Sequence, residues 1–181
     1  RLSVESRKSV TTSTPTSSDQ PSSSAILSAV STAAIGGLQG ALNCFKDFGA
    51  VRVGNMGAKT SEQVPAQMAV ADTAVAIDEM KTTLKRNFSE LMDAAKQGRM
   101  IDLNDRLLYR YQASLVVERC AKHAYQLHSA CGGAGIFSDF PMIRYFMDIL
   151  SARAHYANNP DIFGRNFGGV ALGRENTDFF I

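Results

Sequence analysis

The sequence has 181 residues, 45% of them apolar and 20% charged, with a net charge of +2 at pH 7. That length supports one domain with a real core, and the charge is too small to point to a nucleic-acid partner or a membrane surface. No apolar run reaches the roughly 20 residues of a membrane span; residues 25–42 come nearest, but Ser28, Ser31, Thr32, Gln39, Gly36, Gly37 and Gly40 mark a buried helix of a soluble protein.

Residues 1–24 are mostly Ser, Thr, Pro and charge, a composition that cannot offset its own ordering entropy, and read as a flexible linker. The chain opens on Arg1 with no signal-peptide pattern and reads as a piece of a longer or processed protein. Residues 25–181 read as a helical domain. Cys44, Cys120 and Cys131 are odd in number and form no CxxC, so a reducing cytoplasm is expected. No metal site is expected, since Cys131 and His128 have no further ligand-type residue clustered beside them.

The first helix is expected to be capped by one of Ser22, Ser23 and Ser24 and to run through Ile26, Val30, Ala33, Leu38, Ala41 and Phe45 to about Gly49. A loop over 51–63 follows, carrying Arg52, Asn55 and Lys59 among glycines. A second helix starts between Glu62 and Pro65, with Pro65 in its first turn, and stops at Gly98. A cap between Asp102 and Asp105 opens a third helix that reaches Cys131. Gly132-Gly133-Ala134-Gly135 breaks it. Ser138, Asp139 and Pro141 open a fourth, predicted to continue through Ala154 and Ala157 until Asn158-Asn159-Pro160 ends it. Residues 161–181 read as a short tail. Four long helices with short connections and almost no strand pattern give an all-α fold, an antiparallel four-helix bundle.

Three constellations could carry chemistry, and each also has a plain structural explanation. The glycine turn at 132–135 lets backbone amides approach an anion or a flat ring, or is a simple turn between helices. Arg144, Asp148 and His155 are predicted to share one face of the fourth helix, as a site or as a surface ion pair with a nearby histidine. Arg52, Asn55 and Lys59 form a cationic loop, or a merely solvated one.

Taken together these segments resemble one family. Gly132, Gly133, Gly135, Pro141, Arg144 and Asp148 follow the GGxGxxxxxPxxRxxRD signature of the last domain of the acyl-CoA dehydrogenase superfamily, with Met147 in place of its second Arg. Arg52 to Gly57, followed by Gln67 and Ala71-Asp72, is similar to that domain's RxxFG…Q…AD pattern, with one residue more between Arg52 and Gly57 and with Met56 where an aromatic is common. The resemblance implies that residues 25–181 are the C-terminal helical bundle of a longer flavoenzyme and that the bundle builds a homotetramer. It also implies that Arg52, Gly132, Gly133 and Gly135 touch the flavin.

A dehydrogenase of that family needs a carboxylate to remove the substrate's α-proton. Most carry it soon after the RxxRD motif, where this chain reads Ser151-Ala152-Arg153-Ala154-His155-Tyr156, and some carry it on the domain's first helix, where residues 20–46 contain no Asp or Glu. His155 instead resembles the histidine of the oxygenase branch, the 4-hydroxyphenylacetate and secosteroid-phenol hydroxylases, and the Gly168 to Gly173 segment looks like that branch too. The resemblance therefore implies a two-component monooxygenase. Reduced flavin (FADH2 or FMNH2) comes from a separate flavin reductase and reacts with molecular oxygen to a C4a-hydroperoxide. A small aromatic substrate is then hydroxylated while His155 accepts its hydroxyl's hydrogen bond or proton. A dehydrogenase with its base supplied elsewhere, a relative oxygenating nitrogen or sulfur, and a non-catalytic oligomerisation bundle remain as alternatives.

Overall fold

The third helix shows how directly local chemistry sets the elements. The Asp102 carboxylate accepts the backbone N–H of Asn104 at 2.8 Å, satisfying one of the free amides of a helix start, and α3 follows as Leu103–Ala130. Pro65 stands in the first turn of α2, Val64–Lys96. The computed structural model, which describes residues 20–179 and 181, adds α1 (Gln20–Val51), α4 (Met142–Arg153) and α5 (Pro160–Ala171). Short 3-10 turns lie at Thr60–Glu62, Gly132–Ile136 and Tyr156–Asn158. Among the described residues the only extended pairing is a bridge between Val53 and Lys59 in the α1–α2 loop.

The expected all-α bundle is what α1 to α4 build. α3 lies at its centre, in contact with α1, α2, α4 and α5. Leu38, Ala41 and Phe45 of α1 meet Ile77, Met80 and Leu84 of α2 around Val117, Cys120, Ala124 and Leu127 of α3, and Met142 and Ile149 of α4 close the end. Each fully buried Leu, Ile or Phe contributes about 1.5–3 kcal/mol of transfer free energy. None of the helices of the described residues is long and apolar enough to cross a membrane.

The structure departs from the sequence reading in three places. α1 is already helical at Gln20, so Ser22 to Ser24 lie inside it instead of capping it; the linker expected over 1–24 falls, for residues 1–19, outside the described residues. Pro141, not Ser138 or Asp139, precedes α4, and no side chain caps that helix. Most consequentially, α4 stops at Arg153, and the supposed tail contains α5. Asn158 is the cause. Its Nδ2 donates to the Ala152 carbonyl at 2.8 Å, and its Oδ1 accepts the Ser31 hydroxyl of α1 at 3.1 Å. The chain thus folds back over the end of α4. Asn159 then caps α5 through the Asp161 N–H at 3.1 Å, with Pro160 at the first helical position.

Candidate functional site

At the end of α3, Cys131 is the cap residue and Gly132 follows at φ +60°, the left-handed conformation glycine adopts without strain. The Cys131 carbonyl is one of the acceptors a helix end leaves unpaired, and Arg52 Nη1 donates to it. Arg52 reaches there from the loop after α1, its guanidinium 4.8 Å from the centre of the Phe48 ring. Two segments 79 residues apart are thereby joined. A Cβ on Gly132 would lie 3.9 Å from Arg52 Nη2, and one on Gly133 would meet nothing within 4 Å. Both glycines are exposed, so a partly exposed cation stands beside an open stretch of backbone.

Gly135 is different. It is buried, and a Cβ there would lie 3.0 Å from the His128 carbonyl and 3.3 Å from Cys131 Cβ. A carbonyl within a helix cannot swing aside as a side-chain tip can. Gly135→Ala is therefore expected to destabilise the chain by about 1–3 kcal/mol, the range for overpacking, whereas Gly133→Ala stays within about 0.5 kcal/mol of the parent. Urea unfolding followed by circular dichroism measures both, and equal effects would contradict the packing. Asn55 and Lys59 do not join this cluster; both are exposed, and Lys59 faces Glu62 at 3.5 Å.

His155 lies just past the C-terminal end of α4, whereas the glycine turn comes before that helix in the chain. The expected shared face with Arg144 and Asp148 does not form, because the helix ends two residues before it. Arg144 and Asp148 are an exposed pair at 3.9 Å that contributes little. His155 instead precedes the Tyr156–Asn158 turn in extended conformation, and its Nδ1 accepts the Ala157 N–H at 3.1 Å. An acceptor Nδ1 puts the proton of the neutral ring on Nε2. The exposed imidazole thus presents an N–H donor outward.

The remaining histidines and cysteines have structural surroundings. His128 stacks on Phe146 with ring centres 4.9 Å apart and lies against Gly135. Burial holds His123 below the ordinary imidazole range, helped by Lys122 and Arg119. Burial also pushes the Cys120 and Cys131 thiols up to about 12, so neither is a nucleophile near neutral pH. Among the described residues no group of three or more His, Cys, Asp or Glu could hold a metal ion.

Sequence reasoning missed Arg110. Its side chain is 2% exposed, lies 3.7 Å over the Phe163 ring, donates to the Ala157 carbonyl at 3.3 Å and faces Asp178 at 3.8 Å. The signal was available: Arg110 sits on the apolar stripe that Leu107, Ala113 and Val117 define, where a charge is out of place.

Several solved structures share this architecture, three of them with TM-scores near 0.8. The 3-HSA hydroxylase from Rhodococcus sp. RHA1 superimposes with a TM-score of 0.80 at 20% identity, covering 88% of this chain and 42% of its own. The HsaA monooxygenase from M. tuberculosis gives 0.78 at 21%, covering 88% and 40%. XiaF from Streptomyces sp., in complex with FADH2 and glycerol, gives 0.79 at 20%, covering 86% and 40%. At these identities the likeness establishes the fold, and the chain spans about two fifths of the length of each. No curated protein matches the sequence. The family profile "Acyl-CoA dehydrogenase, C-terminal domain" matches residues 28–160, nearly three quarters of the chain, and with the helical bundle just described this places the chain in the acyl-CoA dehydrogenase C-terminal domain family.

Proposed function

We propose that the chain is the C-terminal domain of a reduced-flavin-dependent monooxygenase that hydroxylates a small phenolic substrate. What carries the reading is His155: an exposed imidazole with its Nδ1 held by Ala157, in the segment where the family resemblance places the carboxylate base of most dehydrogenases. The hydroxylase and monooxygenase named above, and the FADH2 held by XiaF, support it.

The residues present fit a flavin. Arg52 beside the open backbone of Gly132 and Gly133 suits a phosphate or the flavin's adenosine end, with space that a side chain at 132 or 133 would narrow. Gly135 holds the turn in place against His128. When bound, the reduced flavin supplies two electrons for activating oxygen: ArH + O2 + FlH2 gives ArOH + H2O + Fl, with FMN and FAD equally suited. Past the C-terminal end of α4, the phenol's proton leaves to solvent and the exposed His155 Nε2–H donates to the phenolate oxygen that remains, which stabilises the phenolate and makes the ring carbon beside it a better nucleophile. The geometry thus favours a donor where the sequence suggested an acceptor. A separate flavin reductase, a homotetramer and a cytoplasmic location, which three unpaired thiols suit, complete the proposal.

The test uses the full-length protein, supplied with reduced flavin, a panel of phenols and 18O-labelled oxygen gas. Hydroxylated product carrying one 18O atom is the expected result. Unlabelled product, or turnover confined to acyl-CoA thioesters, would overturn the reading.

A further inference from the structure

Ala157 is bonded on both sides. Its N–H serves His155 Nδ1, and its carbonyl accepts Arg110 Nη1. Arg110 in turn faces Asp178, and these two side chains are 2% and 5% exposed. Withdrawing two charges from water costs several kcal/mol per ion, and a well-packed apolar pair commonly serves stability as well. A buried pair at this place therefore calls for a reason beyond stability.

Asp178 is itself held in register. Asn166 of α5 donates through Nδ2 to Asn176 Oδ1 at 2.8 Å and accepts the Thr177 N–H at 2.9 Å. Asn176 Oδ1 also accepts the Asp178 N–H at 2.9 Å. The segment after α5 is thus clamped so that its carboxylate meets an arginine of α3. From there one hydrogen bond leads to Ala157 and a second to His155.

We propose that Arg110 and Asp178 are positioning residues for His155, acting through the peptide groups of Ala157 to fix the ring's orientation and keep its proton on Nε2. The inference rests on the role given to His155 above, and the experiment separates the two. The full-length protein is titrated with 4-nitrophenol, whose absorbance reports the phenolate fraction at fixed pH. Wild type raises that fraction on binding, with an ionisation equilibrium about tenfold more favourable than in water. His155→Ala abolishes the rise. If wild type does not bind the probe, or His155→Ala leaves the rise intact, the phenol reading fails and this inference with it.

Given that loss, Asp178→Asn is expected to remove at least half of the rise while thermal unfolding stays cooperative. An undiminished rise in folded Asp178→Asn overturns the inference and leaves the role of His155 standing. Should Asp178→Asn not fold, the charge-free double variant Arg110→Met/Asp178→Leu decides in its place and is expected to lose at least half of the rise, an undiminished rise overturning the inference; Arg110→Lys, which keeps the charge and a donor, retains most of it. In the double variant His155→Ala/Asp178→Asn, kcat for hydroxylation matches that of His155→Ala alone. Multiplied losses would show that Asp178 acts independently of His155.

Discussion

Replacing His155 by alanine is expected to cut hydroxylated product by about 100-fold or more, while reduced flavin is still oxidised by oxygen within about twofold of the wild-type rate. The electrons then appear as hydrogen peroxide, since FlH2 + O2 gives Fl + H2O2 when no substrate intercepts the oxygen. The split follows from position. The His155 side chain is exposed and its one hydrogen bond is accepted from the Ala157 N–H, so removing the ring leaves the bundle intact. It also makes no contact with Arg52 or the glycine turn, whose neighbours are Phe48, Cys131 and His128, so flavin binding there is expected to be untouched. His155→Gln distinguishes a donor from a base: its amide N–H can still reach a phenolate oxygen but cannot take a proton, so it should retain more product than alanine does. Product and peroxide are measured together in single turnovers. Equal loss of product and of flavin oxidation, or loss of neither, would refute the assigned role.

The helical periodicity was legible because nothing opposed it. Leu107, Val117 and Leu127 on α3, or Ile77 and Leu84 on α2, recur at the spacing one buried face requires, and tertiary packing uses that face. The end of α4 was not legible. Asn158-Asn159-Pro160 is a stop signal for one helix and a start signal for the next, and the sequence reading used only the first meaning. What decides the stop is a hydrogen bond that Asn158 accepts from Ser31, 127 residues away, which no local pattern reports. The misplaced helix end put His155 on a face with Arg144 and Asp148 that it does not share. Arg52 and the glycine turn, 79 residues apart, were linked only through family resemblance, and the structure joins them by a hydrogen bond. Arg110 was legible as a misfit on an apolar stripe, but its partner Asp178 lies in a segment with no periodic signal at all.

The same pair carries the largest expected effect on stability. Arg110→Ala should destabilise the chain by about 3–5 kcal/mol, the range for removing one partner of a buried ion pair. Three losses coincide at this position: the cation 3.8 Å from a carboxylate that is 5% exposed, the donor to the Ala157 carbonyl, and the flat group packed 3.7 Å over Phe163. Arg153→Ala supplies the comparison. It also breaks an ion pair, with Glu118, but both side chains are about half exposed, and such pairs are worth less than about 1 kcal/mol. Against a total stability of about 5–15 kcal/mol for a domain, the first change brings the chain near its unfolding threshold and the second does not. Urea unfolding of the two variants measures the difference; a loss under about 1 kcal/mol for Arg110→Ala would mean that the pair is not formed in solution. Arg110→Met combined with Asp178→Leu removes both charges and restores apolar volume, and should recover most of the lost stability. It should not recover the orientation of His155, because methionine cannot donate to the Ala157 carbonyl. A variant as stable as wild type that still releases peroxide in place of product would show that the buried pair is kept for the geometry of the site and not for the strength of the fold.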